Sequence, residues 1–127
     1  MIDIREVSTQ ALAYLGDCVL EMQVREHLVN TGLSTSGHLN EAALSFVRAS
    51  AQAEAMKKLL PVLSEEEEAY FRRGRNLGHS SVPKHATVSD YRTATGMEAL
   101  FGFLHLAGRG ERIAELFRLA YLETDGE

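Results

Sequence analysis

Ala11-Leu12-Ala13-Tyr14-Leu15-Gly16-Asp17-Cys18-Val19-Leu20 contains one formal charge, Asp17, which is also the only one between Glu6 and Glu21. A second stretch of the same kind, Gly96-Met97-Glu98-Ala99-Leu100-Phe101-Gly102-Phe103-Leu104, holds Glu98 as the only charge between Arg92 and Arg109. Neither stretch alternates apolar and polar residues, so both read as helices that are apolar around most of their circumference and central to the fold. No other segment alternates for long enough to suggest a strand, and the fold is expected to be all α. An isolated carboxylate inside such a helix costs several kcal/mol unless it is paired, protonated or bound to a cation.

The small neighbours of the two acids sharpen this reading. Helical spacing puts Ala13 one turn before Asp17 and Gly102 one turn after Glu98, each on the face of its carboxylate. A glycine inside a helix costs roughly 1 kcal/mol relative to alanine, and space beside the acid is one reason to keep it. Two hard oxygen ligands on adjacent helices, with room for water and a phosphate, describe a magnesium site. The plainer reading, that each acid sits in a buried ion pair or accepts from a backbone group, stays open at this point. Glu21 shares the face of Asp17 but is expected to pair with Arg25 at i+4.

Outward from these stretches, a first helix is expected over residues 9–30, stopped by Gly32. An alanine-rich helical region over 36–60 ends at Pro61, and its length allows a break near 45–50. Ser64 followed by Glu67 reads as a capping box, and the acids 65–68 suit the positive end of a third helix that runs to Arg75. The stretch 76–88, with Gly78, Ser80, Ser81 and Pro83, reads as a loop. Ser89 is the expected N-cap of a long helix to Ala107, and a last helix covers 111–122. At 127 residues the chain has room for one domain. Apolar residues at 45% and charged ones at 24% argue against disorder. With no signal-like N-terminus, no apolar run long enough to span a bilayer and a single cysteine, a cytoplasmic location is expected.

The net charge of −5 argues at first against a nucleic-acid binder. That average hides an asymmetry, because residues 72–92 hold five cations (Arg72, Arg73, Arg75, Lys84, Arg92) against one anion, Asp90. The basic charge is therefore concentrated in one stretch of an otherwise acidic chain. His27, His38, His79, His85 and His105 lack zinc-like spacing. Cys18 reads as a small buried hydrophobe. Tyr14, Leu15, Phe101 and Phe103 are most simply core residues, while some of Tyr14, Leu15 and Val19 are alternatively expected to line a dimer interface.

Three ordered blocks resemble the Mini-III branch of the ribonuclease III family. They are Tyr14-Leu15-Gly16-Asp17-Cys18-Val19-Leu20-Glu21, then Arg72-Arg73-Gly74-Arg75-Asn76 with Val82-Pro83-Lys84, then Tyr91-Arg92 followed at family spacing by Thr95, Glu98, Ala99, Leu100, Gly102 and Leu104. The resemblance covers about residues 11–107. It implies a helical, homodimeric endonuclease domain without an appended double-stranded RNA-binding domain. It also implies a Mg²⁺-dependent reaction, with Mn²⁺ as a substitute ion, that cuts both strands of duplex RNA to 5′-phosphate and 3′-hydroxyl ends. Asp17 and Glu98 fall on the family's metal-binding, catalytic Asp and Glu. The task it implies is maturation of the large-subunit (23S) ribosomal RNA precursor; whether a ribosomal protein joins as a further partner stays open at this point. Two family acids are missing, one replaced by Ala13 and one by Thr95, so fewer anionic ligands are available for metal.

Arg72, Arg73, Arg75, Asn76, His79, Lys84 and His85 are the expected RNA contacts, set to read the phosphates and 2′-hydroxyls of a duplex more than its sequence. The competing readings are a catalytically silent RNA- or protein-binding helical dimer of the same fold, and an acidic helical interaction domain with no RNA role.

Overall fold

Serine and threonine hydroxyls open four of the helices. A computed structural model describes residues 1–78 and 86–123. In it Ser8 accepts from the Ala11 N–H at the start of α1 (Thr9–Asn30), and Thr35 from that of His38 at the start of α2 (Ser36–Val47). Ser64 accepts from the Glu67 N–H at the start of α4 (Glu65–Arg75), and Glu67 reaches back to the Ser64 N–H, the expected capping box. The cap of α5 (Val88–Leu106) is Thr87, not Ser89: the Thr87 hydroxyl takes the Asp90 N–H at 3.0 Å and starts the helix two residues earlier.

The expected break in the alanine-rich region falls at Arg48, between α2 and α3 (Ala49–Leu59). Pro61 then sits in a short 3-10 turn, Leu60–Val62. Thr31 ends α1, and Gly32 follows with a φ of +96°. The last helix, α6 (Gly110–Phe117), runs on into a π-helical turn, Arg118–Leu122.

α5 is the axis of the domain. Ala94 to Met97 and Ala99 to Leu104 are all buried, and α1, α3 and α4 pack around them. Two glycine contacts let backbones touch. A Cβ on Gly16 would lie 1.5 Å from the Glu98 carbonyl oxygen, and one on Gly102 would lie 2.0 Å from that of Leu12. Gly74 and Gly96 serve the α4–α5 crossing in the same way. On the opposite side Glu67 is 3% exposed and takes a two-pronged salt bridge from Arg112 of α6, both contacts at 2.8 Å. The Arg112 guanidinium holds the Glu67 carboxyl below its ordinary range, against the upward push of burial.

The first helix departs from expectation. α5 is central, but α1 is not: its inner face (Leu12, Gly16, Val19, Leu20, Val24, Leu28) packs on the core while Tyr14, Asp17, Cys18 and Met22 are exposed. Cys18 is therefore not the buried hydrophobe expected, and Tyr14, 86% exposed, is not in the core. Val19 is in the core, and Leu15 is half-buried against it, so of the expected interface residues Tyr14 alone stands fully on the surface. The physical reason is that α1 has two apolar faces and its own chain covers one. Among the described residues, no helix is long and apolar enough to cross a membrane.

Candidate active site

The contact between Gly16 and the Glu98 carbonyl leaves no side chain between α1 and α5 where they cross. The next residue along α1 is Asp17, whose carboxylate meets that of Glu98. Burial pushes the Glu98 carboxyl up to about 8, and the charge of Asp17 and a hydrogen bond shared with it add to the shift. Glu98 is half-buried and Asp17 is exposed at the mouth, which corrects the expectation that both acids lie in the interior. Neither acid has a salt-bridge partner among the described residues. Each is held instead against another acid. Glu21 does pair with Arg25, at 2.7 Å.

Asp17 and Glu98 open into a cleft of about 250 Å³. Ala13 and Thr95 line it as well, and the remaining wall includes Gln10, Tyr14, Leu77, Gly78 and Tyr91. The Thr95 hydroxyl is turned away, donating to the Tyr91 carbonyl at 3.0 Å. Gly102 does not provide the room expected of it, because backbone of α1 fills its side of the crossing. The space beside the acids comes from Ala13. Two hard carboxylate oxygens forced together, with one proton retained at neutral pH and solvent at hand, suit a small divalent cation.

The expected RNA contacts separate into described and undescribed groups. Arg72, Arg73 and Arg75 are exposed on the last turn of α4. Arg72 pairs with Glu68 at 3.1 Å, while Arg73 lies over the Tyr70 ring and donates to the Thr9 hydroxyl, beside the mouth of the cleft at Gln10. Arg75 donates to the Asn76 side chain, and both border a shallow depression whose other cation is Arg92. Arg92, counted in the basic stretch but not singled out from sequence, belongs to this surface. From Asn76 the chain passes directly to Leu77 and Gly78 in the cleft wall. His79, Lys84 and His85 lie outside the described residues.

The ribonuclease III domain family matches residues 10–109. The chain is 45% identical to a Mini-ribonuclease 3 of Brevibacillus brevis, over 91% of this chain and 87% of the relative. It is 37% identical to that of Streptococcus pneumoniae, over 99% and 100%. A crystal structure of a protein from Fusobacterium nucleatum superposes with a TM-score of 0.83 at 30% identity, over 93% of this chain and 94% of that one. The chain belongs to the ribonuclease III domain family and, within it, to the Mini-ribonuclease 3 branch. It is thus an endoribonuclease.

Proposed function

We propose that the chain is a homodimeric, Mg²⁺-dependent nuclease that cuts double-stranded RNA at the Asp17–Glu98 cleft. The observation that carries this is the pair of carboxylates held together with no cationic partner among the described residues. Asp17 and Glu98 would hold a divalent ion, Mg²⁺ or in its place Mn²⁺, which would supply Lewis-acid polarisation of the scissile phosphate and activation of water. Asp17 at the mouth and Glu98 deeper in fix its position, and Ala13 leaves space for the phosphate. With Ala13 and Thr95 in place of two acids, the site would hold one ion firmly, with another arriving alongside substrate. The products are 5′-phosphate and 3′-hydroxyl ends.

Arg73, Arg75 and Asn76, with Arg72, Arg92 and the segment carrying His79, Lys84 and His85, grip the backbone of the duplex. One domain then carries both chemistry and RNA contact. Neutralising Arg73 and Arg75 together is expected to weaken duplex binding at least tenfold and to lower the slope of log affinity against log salt by about two. Binding titrations at several salt concentrations in EDTA check this, and an unchanged slope would remove the contact.

Tyr14, Cys18 and Met22 recur every four residues along the uncovered face of α1, which supports a second copy as its cover. The proposed substrate is the large-subunit (23S) ribosomal RNA precursor in the cytoplasm, with a ribosomal protein assisting. One preparation tests the reading: sedimentation for the dimer, then a duplex RNA with Mg²⁺, with and without EDTA. Cleavage that EDTA abolishes is the expected result. Binding without cleavage would favour the catalytically silent dimer, and no binding would end the RNA reading.

A further inference from the structure

Glu98 also forms part of the wall of a second cavity, of about 460 Å³, which shares Tyr91 and Thr95 with the cleft. Its far side is the start of α3. Arg48 is the N-cap there, and its side chain makes no capping hydrogen bond. The first intrahelical bond is Gln52 N–H to the Arg48 carbonyl, which leaves the three preceding first-turn amides without helical partners. Such an end attracts anions. Arg48, exposed at the cavity rim, has no carboxylate partner among the described residues.

Gln52 points independently to a ligand. It is 4% exposed and lines the cavity, yet its side-chain amide has no hydrogen-bond partner among the described residues. The other buried polar side chains among the described residues, Glu67 and Thr95, are both satisfied. A buried, unpaired amide is costly, and natural proteins rarely keep one without a use. Besides Glu98, the acid among the described residues that lines this cavity is Asp90.

We propose that this cavity binds the phosphodiester next to the scissile one on the same RNA strand, through the first-turn amides of α3, the Arg48 guanidinium and the Gln52 amide. The Gln52 NH₂ donates to a phosphate oxygen, and its carbonyl accepts from the 2′-hydroxyl of the same nucleotide. The assignment rests on the nuclease reading in one respect, since it takes the Asp17–Glu98 cleft as the place of cleavage.

Two assays test it on the full chain. In the first, inorganic phosphate is titrated into ¹⁵N-labelled protein. The amides of Ala49, Ser50 and Ala51 and the Gln52 side-chain NH₂ should shift, and Arg48→Gln or Gln52→Leu should weaken the response. In the second, each variant should lower kcat/KM on duplex RNA about tenfold, while Gln52→Leu raises Tm by removing the unpaired amide. A purely structural Gln52 would lower Tm when replaced. Amides that ignore phosphate overturn the proposal whether or not the chain cuts RNA. Amides that respond, in variants that still cut at the native kcat/KM, overturn the assignment to the substrate strand. If the native chain cuts no duplex RNA, the nuclease reading falls, and the phosphate titration alone decides the cavity.

Discussion

Glu98→Gln is expected to lose about three orders of magnitude in cleavage of duplex RNA and, in the same protein, to gain stability at pH 8. Both effects have one cause. In the folded chain burial, aided by Asp17, pushes the Glu98 carboxyl up to about 8, whereas the unfolded chain releases that proton near the ordinary value of 4.5. Across that window the folded state holds the extra proton, so stability falls as the pH rises from 4.5 to 8. The cost is absent below the window and complete above it. Each tenfold change in proton affinity is worth about 1.4 kcal/mol. With a discount for water in the open cleft, the cost is on the order of 3 kcal/mol.

Glutamine keeps the size, can donate to Asp17 and carries no charge. Melting curves of the native chain and the variant in EDTA should therefore separate at pH 8 and nearly coincide at pH 5. Mg²⁺ should raise the Tm of the native chain by binding the folded state, and leave that of the variant unmoved. The same electrostatic cost that weakens the fold makes the site hold a cation. A variant that cuts at the native rate, or melts with the native chain at pH 8, would strip Glu98 of its role.

What could be read in the sequence follows the range of the interactions. Caps, breaks and local pairs are written within four residues, and so Ser64 with Glu67, the interruption at Arg48 and the Glu21–Arg25 bridge were legible. The isolation of Asp17 and Glu98 was legible too, since a lone charge in an apolar run has few uses. Periodicity could not say that only one apolar face of α1 is covered by its own chain, which is why Tyr14, Cys18 and Asp17 stand further out than expected. The Glu67–Arg112 bridge joins residues 45 apart and had no local sign. Gln52 did have one, as a lone amide among the alanines at the start of α3, but only the fold brings it to the same cavity as Glu98.

Gly16→Ala should be the most damaging substitution of a single methyl group in the chain. Helix propensity alone favours alanine by about 1 kcal/mol, so a surface glycine should gain from the change. Gly37, whose added Cβ would meet nothing within 4 Å, is that case, and Gly37→Ala should be neutral or slightly stabilising. At Gly16 the new carbon would stand 1.5 Å from the Glu98 carbonyl oxygen, 2.5 Å from its carbon and 2.8 Å from the Gly102 nitrogen. These are all backbone atoms, so no rotamer change relieves the clash and α1 must move away from α5. That movement uncovers Leu12, Leu20 and Leu100, and the net loss should be about 3 kcal/mol or more. It also parts Asp17 from Glu98, so cleavage should fall even where the variant remains folded. Urea denaturation of the two glycine variants beside the native chain provides the measurement. Equal midpoints for Gly16→Ala and Gly37→Ala would mean that the backbones do not touch at the crossing, and the geometry that joins the two carboxylates would go with it.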